Sequence, residues 1–271
     1  MTSRIEQLQA AIAGIGPLVV GFSGGVDSAL LAVAAHRALG PGQVLAVTAN
    51  SASLGSGELD HCRSFAAQWG LEWASVATQE FDDDRYLANN GDRCFWCKTA
   101  LMDQLEPVAR ARGATITLGV NVDDLGDHRP GQTAAAERGA RFPLVEAGFT
   151  KADIRAAARD LGLAEWDRPA MPCLSSRLPY GTAVTVPILS RVDRAEGALR
   201  RLGFGEVRVR HYDDTARIEV PPADLGRVVE AADAVVAAVT GAGYRYVTLD
   251  LAGFRSGNLN QALAPVAAAR P

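Results

Sequence analysis

Six residues, Ser23-Gly24-Gly25-Val26-Asp27-Ser28, stand between an apolar run (Leu18, Val19, Val20) and an Ala/Leu-rich stretch that reads as a helix to about Leu39. A strand, a glycine turn and a helix start point free backbone N–H groups and a positive helix end at an anion. Gly24 and Gly25 let the main chain approach that anion with no Cβ in the way. Ser23 and Ser28 add hydroxyl donors, and Asp27 can hold a metal ion that offsets phosphate charge. The Walker loop needs a longer glycine spacing and a Lys before Ser or Thr, so it does not apply. The plain alternative is an ordinary tight turn opening an α/β helix.

Other clusters carry chemistry of their own. Asp123, Asp124 and Asp127 crowd one segment with Arg129 nearby; carboxylates this close repel unless a cation shares the site. A solvated acidic loop is the rival reading. Cys94 and Cys97 form a CxxC, and Cys173 stands far off in a proline-rich stretch. Such a set is open to a redox pair, part of a metal or iron–sulfur site, or three independent thiols. Arg208 and Arg210, two apart in a strand-like stretch, project from one face and suit a phosphate or carboxylate, or ordinary ion pairs at an edge. Of 27 basic residues only Lys98 and Lys151 are lysine. The four histidines (36, 61, 128 and 211) show no metal spacing and receive no role.

The elements that must position these groups alternate. Strands are expected at 18–22, 44–48, 72–76 and 115–120, with helices at 4–15, 28–39, 57–69, from the CxxC to about 112, 132–139 and 150–161. The pattern implies an α/β fold with a doubly wound, mostly parallel sheet, whose ligands sit beyond the carboxyl ends of the strands. Asn50 and the Asn121–Gly131 segment are strand exits on that side. Residues 166–181 hold three prolines without a regular period and read as a binding loop. Composition then changes, giving domains at 1–181 and 182–271. The second is a small α+β unit with a helix at 188–202, a hairpin turning at Asp213-Asp214, a long helix over 222–240 and a strand at 244–249.

Bulk properties exclude little but consistently. A chain of 271 residues with 48% hydrophobic and 21% charged residues is ordinary for a globular protein. Its net charge of −4 gives no general attraction to nucleic acid. No apolar run reaches membrane-spanning length and no signal-peptide core is seen, so a cytoplasmic protein is expected.

The Ser23–Ser28 turn resembles the SGGxDS signature of the PP-loop ATP pyrophosphatases. Together with NVDDLGDHRPG (121–131), KADIRAAARDLGL (151–163), WDRPAMPCLSSRLPYG (166–181) and YRYVTLDLAGFRSG (244–257), nearly the whole chain resembles the LarE family. These are ATP-dependent sulfur transferases that make the nickel-pincer nucleotide cofactor. The resemblance implies that ATP with Mg²⁺ adenylates the carboxylates of pyridinium-3,5-biscarboxylic acid mononucleotide, and that sulfur then displaces AMP to leave thiocarboxylates. It implies pyrophosphate contacts from Ser23, Gly24, Gly25, Ser28 and Asn50, metal duty for Asp27 and Asp127, and phosphate contacts from Lys151 and Arg129. Cys173 matches the sulfur-donating position. Trp96, Ser176, Arg177, Arg208 and Arg210 fall at substrate positions.

Some members of that family sacrifice the loop cysteine; others hold a 4Fe–4S cluster on three cysteines. The presence of Cys94, Cys97 and Cys173 favours the cluster type, and a trimer or hexamer assembled through the second domain is implied too. A tRNA thiolase with the same loop would want a basic surface or RNA-binding module, and an ATP-binding sensor would release no pyrophosphate.

Overall fold

The computed structural model describes residues 4–126 and 130–255. The chain opens with α1 (Arg4–Ala13), β1 (Leu18–Gly21), α2 (Val26–Leu39), β2 (Val44–Asn50), α3 (Glu58–Gln68) and β3 (Glu72–Ala77). It continues through α4 (Asp84–Leu87), α5 (Arg93–Arg112), β4 (Thr115–Leu118), α6 (Pro130–Glu137), α7 (Pro143–Glu146) and α8 (Lys151–Asp160). The last part comprises α9 (Val186–Arg201), β5 (Arg208–Tyr212), β6 (Thr215–Glu219), α10 (Leu225–Glu230), α11 (Ala232–Gly241) and β7 (Tyr246–Leu249). Two units separate: Met1–Asp83 with Asp92–Met171, and Asp84–Gly91 with Pro172–Pro271.

In the first unit the strands lie parallel in the order β3-β2-β1-β4. Both faces are covered, and the period of two assigns each residue its side. Leu18 and Val20 of β1 join Leu30, Leu31 of α2, Phe65 of α3 and Ile154 of α8. Val19 turns the other way, toward Leu101 and Leu105 of α5 and Ile116 of β4. Leu30 and Leu31 are fully buried, and each such side chain contributes about 1.5–3 kcal/mol.

The order has a consequence for function. From β1 the chain steps outward to β2 and β3, then returns to place β4 on the other side of β1. The carboxyl ends of β1 and β4 therefore flank a topological switch point, where α/β sheets open a crevice for ligands. Gly119, just past β4, closes onto this junction. A Cβ there would come within 2.8 Å of the Ser28 backbone N and 3.0 Å of the Asp27 carbonyl carbon.

The second unit is built on an antiparallel hairpin, β5 with β6, extended by β7 running parallel to β6. Asp213 in its turn has φ +49°, as a two-residue hairpin turn demands. Ala195 and Leu199 of α9 and Val235 and Val239 of α11 close its core over Val209, Ala216 and Ile218. The long helix expected over 222–240 is instead a 3-10 turn (Pro222–Asp224) followed by α10 and α11, interrupted at Ala231.

A single cut after Gly181 does not describe the division into units. The excursion at residues 84–91 joins the second unit through side chains the hydrophobic pattern does not reveal. Asn89 donates to the carbonyls of Pro179 and Thr182 at 2.8 and 2.9 Å, and the Tyr86 and Ser175 hydroxyls meet at 2.8 Å. The stretch 166–181 is also less irregular than expected. It contains a 3-10 turn at Leu174–Arg177, with Leu174, Ser175, Arg177 and Leu178 buried.

Because the Gly119 contact is with backbone, the neighbours cannot rotate away. Gly119→Ala is expected to lower the unfolding free energy by about 1–3 kcal/mol in urea titrations and to weaken ATP binding as well. An alanine variant of unchanged stability would mean that the junction is looser than drawn.

Candidate active site

The turn after β1 is held by its own serines. The Ser23 N–H donates to Ser28 Oγ at 3.2 Å, the two hydroxyls lie 3.2 Å apart, and Ser28 Oγ donates to the Gly25 carbonyl at 3.0 Å. Gly24 takes φ +74°, open to glycine at no cost. Gly25 is the N-cap of α2 and supplies no side-chain cap. The first-turn N–H groups of a 14-residue helix therefore meet the outside with their partial positive charge. Ser23 and Gly25 are exposed. Asn50 is exposed as well, at the carboxyl end of β2.

Asp27, in the first turn of α2, is bridged by both oxygens to Lys151 Nζ at 2.7 and 2.8 Å. Burial pushes the Asp27 carboxyl above the usual carboxylate range, against the pull of the Lys151 charge and hydrogen bond; Asp124 adds to the rise and Asn121 opposes it. Lys151 is brought there by the start of α8. Thr150 caps that helix in a reciprocal box with Asp153, and Arg4 braces Asp153 at 2.7 Å. The Lys151 side chain remains 39% exposed, so its ammonium is within reach of an incoming anion.

The acidic strand exit is more structural than the sequence reading allows. Asp123 accepts the Lys151 backbone N–H at 2.8 Å, and Asp124 accepts that of Asn121 at 3.1 Å. Buried Asn121 in turn accepts the Asp123 N–H at 3.0 Å. These carboxylates are drawn together by main-chain donors as well as by any cation. Asp127 and Arg129, named with them as site residues, lie outside the described residues. Among the described residues no group of three or more His, Cys, Asp or Glu side chains is arranged to hold a metal ion.

Three residues that the sequence reading gave no role at the site border the turn. Arg168 donates to the Gly24 carbonyl at 3.2 Å and to Glu58 at 2.7 Å. His61 and Cys62 stand against the turn, since a Cβ on Gly24 would lie 3.0 Å from His61 Cδ2 and 2.8 Å from Cys62 Sγ. Arg168 was quoted only within a motif, and neither its spacing nor its neighbours single it out.

Of the three cysteines singled out, Cys94 and Cys97 sit in the first unit and Cys173 in the second. All are free thiols, Cys94 exposed and the other two half-buried. Cys94 and Cys97 lie one turn apart at the start of α5. Gly131 lets α6 close on that turn, because a Cβ would meet the Cys94 carbonyl oxygen at 2.8 Å. Trp96 is half-buried, and its ring N–H donates to Asp92 at 2.9 Å.

In the second unit the arginines expected at the substrate are buried and engaged within the protein. Arg177 pairs with Glu196 at 2.8 and 3.0 Å and donates to the Pro172 carbonyl at 2.8 Å, the Cys173 carbonyl at 3.3 Å and the Ser176 hydroxyl at 2.9 Å. Arg210 pairs with Glu219 and donates to the Ser176 carbonyl at 2.7 Å. Arg208 donates to the Val207 carbonyl at 2.9 Å and lies over the Phe254 ring. Burial, then the Arg177 charge, lowers its pKa to about 10. Two of these guanidiniums thus grip the backbone around Cys173.

Glu196 anchors that arrangement, fully buried between Arg177 and Arg200 and accepting the Val209 N–H. Burial pushes its carboxyl up, but the Arg177 hydrogen bond and charge outweigh it and leave Glu196 below the usual glutamate range. A lowered carboxylate stabilises the fold above its unfolded pKa and loses that contribution as pH falls through the folded one. Glu196→Gln is expected to cost about 3–5 kcal/mol near neutral pH, the deficit shrinking as acid protonates the wild type. Urea unfolding across pH checks it; a deficit equal at every pH would contradict the ion-pair account.

Comparison with known proteins supplies a further finding. A profile described as NAD synthase matches residues 5–91, the part that carries the Ser23–Ser28 turn. The chain is 45% identical over 267 residues to an uncharacterized protein of Synechocystis sp., covering 97% of this chain and 99% of the relative. It is 40% identical over 264 residues to the pyridinium-3,5-bisthiocarboxylic acid mononucleotide synthase of Lactiplantibacillus plantarum, covering 97% and 96%. A more distant relative, an uncharacterized protein of Methanocaldococcus jannaschii, is 24% identical over 240 residues, covering 88% and 91%.

Proposed function

The chain belongs to the LarE family, that of the pyridinium-3,5-bisthiocarboxylic acid mononucleotide synthase, and from that premise we propose that it converts the carboxylates of pyridinium-3,5-biscarboxylic acid mononucleotide to thiocarboxylates at the expense of ATP. The single observation supporting this most directly is the exposed, uncapped start of α2 with the Asp27–Lys151 pair beside it. The turn offers N–H and hydroxyl groups to the β and γ phosphates. Lys151, already at the site, turns from Asp27 to a phosphate oxygen; Asp27 would then be free to hold Mg²⁺, which would supply charge neutralisation for the pyrophosphate leaving group. Asn50 and Arg129 contact the nucleotide in this reading, and Asp127 shares the metal.

The substrate carboxylate attacks the α phosphorus and expels pyrophosphate. This turns a poor electrophile into an acyl-adenylate whose leaving group is AMP. A sulfur nucleophile held at Cys173 attacks the acyl carbon, and AMP leaves with the electron pair of the C–O bond. A delivered sulfide gives the thiocarboxylate directly, whereas the Cys173 thiolate gives a thioester that must then lose its Cβ–Sγ bond by β-elimination. Trp96 and Ser176 face the substrate in this proposal. Arg177 and Arg210, which grip the backbone at residues 172–176, keep the Cys173 loop in one conformation, and Arg208 completes that basic group.

For the sulfur source, the donor types fit an iron–sulfur centre, because Cys94, Cys97 and Cys173 are all free thiols with some exposure. We propose that these three cysteines would be the ligands of a 4Fe–4S cluster. When bound, such a cluster supplies a sulfide that can be replaced after each turnover. The alternative, Cys173 giving up its own sulfur, would leave dehydroalanine. Assembly as a trimer or hexamer, a small-molecule substrate without nucleic acid, and a cytoplasmic location complete the proposal.

In a coupled assay, pyrophosphate should appear only with both ATP and the pyridinium dicarboxylate present. Lys151→Met should slow its release roughly a hundredfold or more with the fold intact, and an unchanged rate removes Lys151 from the chemistry. Anaerobically purified protein should carry about four iron atoms per chain, lost in Cys94→Ala. Iron-free protein that turns over once and becomes lighter by about 34 Da, the loss of H₂S from a cysteine, would replace the cluster by the sacrificial route.

A further inference from the structure

Arg168 makes two contacts of different kinds. One nitrogen, Nη2, reaches Glu58 at 2.7 Å; the other, Nη1, reaches the Gly24 carbonyl at 3.2 Å. The Glu58 side chain is 10% exposed and the Arg168 side chain 24%, so the pair is sheltered and its geometry restricted. Glu58 opens α3, where a negative charge suits the helix N-terminus. A guanidinium can serve two partners on separate nitrogens in a fixed plane, which a lysine ammonium cannot do with the same definition.

The Gly24 carbonyl matters because of what shares its plane. Across a trans peptide the C=O of one residue and the N–H of the next point in opposite directions. The carbonyl of Gly24 and the N–H of Gly25 form such a pair, and two adjacent glycines offer almost no steric resistance to the plane rotating. Left alone, this peptide would present either its N–H or its carbonyl oxygen to the ligand side, and a carbonyl there repels phosphate. A donor fixed on the carbonyl removes that freedom.

The geometry points to Arg168 as a positioning residue for the anion site: it holds the Gly24 carbonyl so that the Gly25 N–H faces a bound pyrophosphate group. The inference deepens the phosphate-loop reading above and rests on it. The surroundings support a built device. His61 and Cys62, on the same helix as Glu58, also stand against Gly24, so the turn is packed against α3 as well as tied to Arg168. The 3-10 turn Ala164–Asp167, immediately before Arg168, also sends Glu165 toward His61, with Oε1 3.7 Å from Nε2. Glu165 is 6% exposed, and its Oε2 has no hydrogen-bond partner. An ion pair with Glu58 alone would tie the segments together; the second donor is spent on the one carbonyl whose direction decides what the turn offers.

Calorimetric titration with inorganic pyrophosphate and Mg²⁺ tests this, using wild type, Arg168→Ala, Arg168→Lys and Glu58→Gln, each with its melting temperature. Arg168→Ala should bind pyrophosphate roughly ten- to a hundredfold more weakly, and added guanidinium ion should recover part of the loss. Arg168→Lys and Glu58→Gln should fall between Arg168→Ala and wild type. If Arg168→Ala does not fold, those two variants decide by the same criterion. Wild-type affinity in every folded variant would overturn the role of Arg168 alone. A wild type that fails to bind pyrophosphate would overturn the phosphate-loop reading and this inference with it.

Discussion

The Asp27 carboxylate and the Lys151 ammonium hold the first unit's chemistry together. Asp27 lies in the first turn of α2, against the sheet, where burial alone would favour its neutral acid. Lys151, from the start of α8, supplies the charge that keeps the carboxylate usable. The cross-link spans much of the unit's sequence, so the turn after β1 and the start of α8 cannot drift independently. Because the pair is still partly open to solvent, it can exchange partners. A buried, fully satisfied ion pair would be rigid and useless to a ligand; a fully exposed one would hold nothing in place.

The second unit applies the opposite policy to its charges. Glu196 and Glu219 are fully buried, and of the arginines they pair with, Arg177 and Arg210 also donate to carbonyls at 172–176. A short segment containing Pro172 and the free thiol of Cys173 is thereby given a fixed path without a long hydrophobic element to pack it. Specificity of conformation is a reasonable return for charges that add little net stability. The same grip explains why this segment contains a 3-10 turn.

Much of this was legible in the residues. The strand, glycine turn and helix at 18–39 follow from apolar spacing and punctuation, and the parallel sheet follows from strands alternating with helices. The Thr150 cap was visible because its residue type and place announce it. What stayed hidden depends on long-range partners. Arg208 and Arg210 do share a strand, but whether they meet a ligand or a glutamate is decided by β6 and α9. Asp123 was open to a cation, an arginine or solvent because its partner, the Lys151 main-chain N–H, lies 28 residues away, whereas Asp124 accepts the Asn121 N–H within a local turn. The excursion at 84–91 joins the second unit through Tyr86 and Asn89, whose hydrogen bonds leave no periodic trace. Arg168 escaped for the same reason, its meaning residing in a carbonyl 144 residues away.

The account stands on one chemical event, the transfer of AMP to a substrate carboxylate before sulfur arrives. Labelling that carboxylate with oxygen-18 and recovering the nucleotide after a single anaerobic turnover reads the event directly. The account predicts AMP carrying one heavy oxygen for each thiocarboxylate formed, with unlabelled pyrophosphate. Unlabelled AMP, or ADP with labelled phosphate, would mean that the carboxylate is activated in another way, and the roles drawn for the turn, Asp27 and Lys151 would have to be given up.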